Sequence, residues 1–145
     1  MATLRGAVHT ILIADATLIS NLASDVITVA NPAVFTGSMA PEGQTFPYIV
    51  CTFNVASIPY DTKTTSDYGQ QIDFDIRCYH DRDVADAQID IDVIAEAARA
   101  AMHDATLTVT NFVHIFTQVI NGPFVADEED VLGRILTVRT IQSGT

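Results

Sequence analysis

The side chains that most often take part in catalysis or metal binding are few in this sequence. Its histidines are His9, His80, His103 and His114. No two of them are spaced i, i+4, and none stands near a cysteine at the spacing of a zinc site. We interpret all four as isolated residues that are exposed or half-buried.

Four carboxylates at nearly alternating positions come closest to a metal site. They are Asp73, Asp75, Asp81 and Asp83. A calcium loop needs glycine at its sixth position, and a loop that starts at Asp73 has Cys78 there. If the protein is an enzyme, Asp73, Asp75 and His80 are the candidates, but there is no glycine-rich phosphate loop and no Gly-x-Ser-x-Gly elbow. We predict no catalytic residue, metal or cofactor.

The two cysteines, Cys51 and Cys78, are too few for a disulfide framework. Both fall on the apolar face of a predicted strand, and cysteine is among the most buried residue types. The N-terminus lacks an apolar core followed by a small-residue cleavage site, so no secretory signal is predicted. We expect two buried free thiols in a reducing compartment.

The composition indicates a folded chain with an acidic surface. The 145 residues are 48% hydrophobic and 17% charged, which is typical of one globular domain over residues 1–145. The formal net charge is −11, and the only lysine is Lys63. Proteins that grip phosphate backbones carry Lys/Arg clusters, so specific nucleic-acid binding is not expected. No apolar stretch approaches the ~20 residues of a spanning helix, so no membrane partner is expected.

Apolar residues at helical spacing predict an N-terminal helical region over residues 3–23. Asp15 is placed to cap the segment that follows it, which divides the region into two short helices. Residues 25–29 are predicted as a short strand. Residues 31–45 contain two prolines and two glycines and are predicted as a loop.

Two segments, 46–58 and 70–79, alternate between apolar and polar residues with the period of a β-strand. In the second segment Ile72, Phe74 and Ile76 share one face, which we expect to form a core with the central helix. The polar segment 60–69 between the two strands is predicted as a long loop.

Residues 83–104 are predicted as one long helix with Asp83 as its N-cap. One apolar stripe of this helix faces the core. Ile89 and Val93, one turn apart, make the helix apolar on a second side. We expect these two residues to contact another subunit or a second layer formed by the N-terminal helix.

Three more strands are predicted at 107–109, 113–120 and 132–141. An acidic run separates the last two: Asp127, Glu128, Glu129 and Asp130. It forms either a solvated loop or a charged lining or docking patch. The order of elements predicts an α+β domain. Its mainly antiparallel sheet of four to five strands has one long central helix and the N-terminal helical region packed on one face.

Four features of the chain carry a resemblance to a known family. They are residues 12–22, the segment Ala40-Pro41-Glu42-Gly43 before Phe46-Pro47-Tyr48-Ile49-Val50, the strand 71–80 that leads directly into the Ala-rich helix 84–102, and 107–109 followed by a hydrophobic final strand ending in Arg139. In this pattern the chain resembles the tail-completion, or tail-terminator, proteins of long-tailed bacteriophages and gene transfer agents. It departs at Cys78-Tyr79, where family members often carry a tryptophan.

The resemblance implies a structural protein of the virion neck, present in the host cytoplasm during assembly, without catalytic residues or cofactors. It implies a hexameric ring that ends the tail tube and joins it to the head, with DNA passing through the lumen. The implied partners are further copies of the chain, the tail tube protein and the head–tail connector proteins.

Under this hypothesis of a virion neck protein, we assign three surfaces that contact other molecules. Ile89 and Val93 form a subunit or tail-tube interface, and the acidic run 127–130 lines the lumen or docks a partner. The long polar loop becomes ordered against the tail tube through Asp61, Thr62, Lys63, Thr64 and Thr65.

Acidity alone equally favours a different class, a small acidic inhibitor or chaperone for a basic partner.

Overall fold

The computed structural model describes residues 3–37, 39–53, 58–60 and 69–144 of the chain. Its elements, in chain order, are α1 (Leu4–Ile13), α2 (Ala16–Ser20), β1 (Val34–Phe35), β2 (Tyr48–Phe53), β3 (Ile58–Tyr60), β4 (Gly69–Asp81), α3 (Ala87–Met102), β5 (Phe112–Val125) and β6 (Val131–Gly144). The predicted α+β class is confirmed. The predicted loop at 60–69 lies almost wholly outside the described residues.

The N-terminal region consists of two short helices that are set by their caps. The Thr3 hydroxyl accepts a hydrogen bond from the Gly6 N–H at 3.1 Å and begins α1. The Asp15 carboxylate accepts one from the Leu18 N–H at 2.8 Å and begins α2. A short polar side chain at this position satisfies an N–H that the helix itself leaves unpaired. The predicted division at Asp15 is therefore confirmed.

The strands form one mixed sheet with the order β1-β2-β4-β6-β5, and β3 also pairs with β4. The first pair, β1 with β2, is parallel, and the other pairings are antiparallel. The expected sheet was mainly antiparallel, and the parallel strand β1 was not predicted. That strand lies inside the predicted loop 31–45, and its two residues are too few to produce an alternating pattern.

Two short segments predicted as strands are not strands. Residues 25–29 belong to a turn, closed by a bridge between Ser24 and Pro32. Residues 107–109 have no strand pairing, although the Leu107 side chain is buried in the core. Both segments contain apolar residues but have no neighbouring strand to pair with. The sequence pattern of a segment does not show whether such a neighbour exists.

The centre of the sheet is the long antiparallel pair β4–β6, which runs from Gly69–Ser143 to Asp81–Val131. Alternate residues of both strands face the helices and are buried, among them Phe74, Ile76, Leu136 and Val138. They belong to one core cluster with Ile91, Ile94, Ala95 and Ala98 of α3. The predicted core face of β4 is confirmed at Phe74 and Ile76, and Ile72 on the same face is half-buried.

Helix α3 is shorter than predicted and begins differently. It has 16 residues and starts at Ala87, after Asp86 in the left-handed region with φ 61°. Asp83 is not its N-cap. The Asp83 N–H instead donates to the Asp81 carboxylate at 2.9 Å, in a turn that follows the end of β4. Asp81 and Asp83 therefore form the turn at the end of strand β4 and do not begin the helix.

Both cysteines are free, and they face the core from neighbouring strands, as predicted. Cys51 pairs in register with Ile76, and Cys78 pairs with Ile49. Burial raises the pKa of both thiols, that of Cys78 to about 12 even though the nearby Arg134 lowers it. A thiol that stays protonated is a poor nucleophile, so both cysteines act as small apolar side chains.

Replacement of Phe74 by alanine tests the core. The ring is fully buried and stacks on Phe53 with centroids 4.8 Å apart. We expect Phe74→Ala to lower the free energy of unfolding by about 3–5 kcal/mol in urea titrations. Phe124→Ala, at a position that is 42% exposed, is the matched control and should lose markedly less stability. Equal stability of the two variants would show that the assigned core face is wrong.

Thiol reactivity tests the burial of the cysteines. Cys51 and Cys78 should react with a thiol reagent only as fast as the protein opens, because the folded state offers neither access nor thiolate. Labelling followed by mass spectrometry should show two slow sites in buffer and two fast sites in urea. Fast labelling of either cysteine in buffer contradicts this assignment.

Candidate interaction surfaces

A buried guanidinium connects the sheet, the central helix and the acidic run. The Arg134 side chain on β6 is only 7% exposed. It donates to Asp92 Oδ1 at 2.9 Å and to Gln88 Oε1 at 2.8 Å, both on α3. It also donates to Asp127 Oδ1 at 3.1 Å and to the Gly133 carbonyl at 2.8 Å. A buried cation needs such a set of partners, since an unpaired one costs several kcal/mol.

Asp127 of the acidic run is bound within the chain by this cluster, although its side chain is still 24% exposed. Asp127 also accepts from the Gly133 N–H at 3.0 Å, so its carboxylate is a structural element. A Cβ at position 133 would lie 2.5 Å from the Ala126 carbonyl oxygen, so only glycine lets the loop close on β6. Glu128, Glu129 and Asp130 remain exposed. They are the carboxylates that the loop can present to a partner.

The second apolar side of α3 forms the floor of a groove of about 540 Å³. Its apolar floor consists of Ile89, Val93, Ala97 and Ala100 of α3, and its other lining residues are Asp92 and Glu96 of α3 and Asp15 and Thr17 at the start of α2. Ile89 is 62% exposed and Val93 41%. The N-terminal helices therefore border these residues and do not cover them, so the expected second layer is wrong. The alternative, a contact with another chain, stays a prediction.

The predicted docking residues Asp61, Thr62, Lys63, Thr64 and Thr65 lie outside the described residues.

The alternating carboxylates of β4 are used within the sheet. Asp73 binds Arg139 of β6 through two hydrogen bonds of 2.9 and 3.1 Å, and Asp75 accepts from Thr137 at 3.0 Å. Such cross-strand pairs stabilise a sheet. Within the described ranges, no three or more His, Cys, Asp or Glu side chains are grouped to hold a metal ion.

One histidine differs from its predicted environment. His80 is buried: its Nδ1 accepts from the Asp81 N–H at 2.8 Å, and its Nε2 lies 3.4 Å from Asp90 of α3. The earlier interpretation as an exposed or half-buried residue is wrong here. His80 connects the end of β4 to the first turns of α3, which is a structural role.

Two exposed apolar regions were not predicted from the sequence. One is the turn that carries Val26, Ile27 and Val29, and the other is the edge strand β5, where Ile115 and Ile120 are exposed. The signal for both was the absence of charge from the surrounding sequence. No helix in the part of the chain that the structure describes is long and apolar enough to cross a membrane.

Comparisons with known proteins agree on one kind of relative. A family model described as "Tail completion protein gp17" matches residues 6–143. The fold is similar to a chain in a structure titled "Virion of native gene transfer agent (GTA) particle". The TM-score is 0.74 at 21% sequence identity, and the match covers 97% of this chain and 95% of the other. A search of curated proteins found no match.

Replacement of Asp127 tests the Arg134 cluster. We expect Asp127→Ala to lower the free energy of unfolding by about 2 kcal/mol, because a buried cation loses a charged partner and the Gly133 N–H loses its acceptor. Asp130→Ala removes the same charge from the same loop and should change stability by less than about 0.5 kcal/mol. Urea titrations measure both variants. Equal losses would mean that only the net charge of the loop matters.

Proposed function

The chain belongs to the tail completion protein gp17 family, and we propose that it forms a ring that ends the tail tube and joins the tail to the head. A protein of this family is a structural component of a phage-type virion, which is not a class of enzymes. The proposed ring has six subunits, and DNA passes through its lumen.

The observation that carries this proposal is the extent of the family match, residues 6–143 of 145. A match over nearly the whole chain shows membership of the family, and the description of that family supports a role in completing the tail. The similarity to a chain of a gene transfer agent particle supports the fold, and with it the idea that this fold serves in virions.

We assign the groove on α3 to the contact with the tail tube. Its floor is apolar, and exposed apolar surface of this kind usually marks an interaction site. The loop segment 61–65 is assigned to the same contact.

The exposed acidic residues Glu128, Glu129 and Asp130 are assigned to the lumen or to the connector side of the ring. Each of six subunits brings a formal charge of −11. A negative lumen repels the DNA phosphates, so that DNA passes without binding. The alternative of a small acidic inhibitor rests on net charge alone, which the ring accounts for equally well.

A particle-assembly assay tests the proposed function. Cells that lack the chain should accumulate separate heads and tails, and the wild-type chain supplied in trans should join them. Ile89→Asp and Val93→Asp place a charge in the groove. We expect each to reduce joined particles about tenfold or more, equivalent to about 1.4 kcal/mol or more of contact energy. Replacement of residues 62–67 by a short Gly-Ser linker should act in the same way.

Val84→Asp is the matched control, because Val84 is 44% exposed and lies outside the groove. All variants should keep the circular dichroism spectrum of the wild type. Their free energies of unfolding should lie within about 0.5 kcal/mol of the wild-type value. If Ile89→Asp joins heads and tails normally, the assignment of the groove to the tail-tube contact is wrong. Normal joining without the chain overturns the proposed function.

A further inference from the structure

Charge is distributed very unevenly along this chain. Residues 26–41 and 105–126 contain no Asp, Glu, Lys or Arg, although the formal net charge is −11. A third uncharged run, 43–60, supplies the interior strand β2, which has neighbours on both sides, and the short strand β3, which pairs with β4. The first two runs instead supply the two opposite edges of the sheet, β1 and β5.

The edge at β5 is long, uncharged and partly apolar. Natural sheets usually protect such an edge with charges, because its open side offers backbone groups to another chain. Here the register with β6 shifts at Ile115 and again at Ile120, so that neither residue is opposite a β6 residue. Both side chains are exposed, Ile115 by 46% and Ile120 by 43%. Bulges of this kind re-aim side chains, and here they display isoleucine.

The opposite edge carries a preorganised apolar turn. The Asp25 N–H donates to the Asn31 carbonyl at 2.9 Å, and the Ile27 N–H donates to the Asp25 carboxylate at 2.8 Å. The Gln44 side chain accepts from the Val26 N–H at 2.9 Å and donates to the Ser24 carbonyl at 2.8 Å. This network holds Ile27 and Val29 outward, 76% and 72% exposed. A turn that is already ordered loses little entropy on binding.

The ion pairs within the chain limit how two copies can meet. All six arginines have a partner in their own chain: Arg5 lies over the Phe53 ring, Arg77 pairs with Asp75, Arg82 donates to the Glu128 carbonyl, Arg99 pairs with Glu96, Arg134 with Asp92 and Asp127, and Arg139 with Asp73. Each copy has a formal charge of −11, so two copies repel wherever their charged surfaces face each other. Contact between copies is least costly where neither surface carries charge.

From these observations we infer that neighbouring copies in the ring meet through their sheet edges, the β5 edge of one copy against the 26–29 turn of the next. This inference rests on the proposed ring. A closed ring of identical subunits needs two different, complementary patches on each chain. The two uncharged apolar patches lie at opposite edges of one sheet, which lets each copy contact one neighbour on either side.

Cysteine cross-linking in assembled particles tests this contact, since the two native cysteines are buried and free. Three variants supplied in trans are compared: Ile27→Cys, Ile115→Cys and the double variant. Particles are treated with a short bis-maleimide and analysed by denaturing gel and mass spectrometry. The double variant should give a ladder of covalent oligomers up to the size of the ring. Neither single variant should give one, and a mixture of the two should give dimers only.

The control pairs Val84→Cys with Ile115→Cys, because Val84 is 44% exposed and lies outside both the groove and the two sheet edges. It should give no ladder. Covalent dimers from Ile115→Cys alone would replace the inferred contact by pairing of two β5 edges. Particles that contain the double variant and show no cross-link overturn the inferred contact and leave the proposed function standing. Wild-type particles that lack the chain altogether overturn both the inferred contact and the proposed function.

Discussion

The Arg134 guanidinium is the constraint on which much of this architecture depends. Apolar contacts between α3 and the sheet are non-directional, whereas a planar guanidinium fixes the direction of each of its hydrogen bonds. Arg134 binds Gln88 and Asp92, one turn apart on α3, and Asp127 beyond the end of β5. The cluster therefore sets the rotation of α3, so that Ile91 and Ala95 face the core while Ile89 and Val93 line the groove.

The same economy of charge explains the surface. With seven basic side chains against 18 acidic ones, and every arginine engaged within the chain, the protein has little positive charge to offer a partner. Contacts between copies of the chain are least costly on apolar surface, which lies in the α3 groove and along both sheet edges. The remaining carboxylates keep other surfaces apart and disfavour contact with DNA. Because basic side chains are few, apolar surfaces can bind other copies of the chain, whereas acidic surfaces repel them.

Local features of the structure were predictable from the sequence, and long-range ones were not. The Asp15 cap and the core face around Phe74 depend on residues within a few positions, which pattern analysis captures. The Asp83 cap was wrong because β4 extends to Asp81 and uses these carboxylates in a turn. Arg134 was missed because its α3 partners are 42 and 46 positions away. The available signal was a charged residue at an inward position of a strand.

We propose that this chain forms a ring of copies joined edge to edge at the head end of the tail. Electron cryo-microscopy of the neck of purified particles tests it most directly. We expect a ring of six copies between tail tube and connector, with β5 of each copy against the 26–29 turn of its neighbour and the α3 groove toward the tail tube. A single copy, or a ring whose subunits meet through their acidic surfaces, would contradict it.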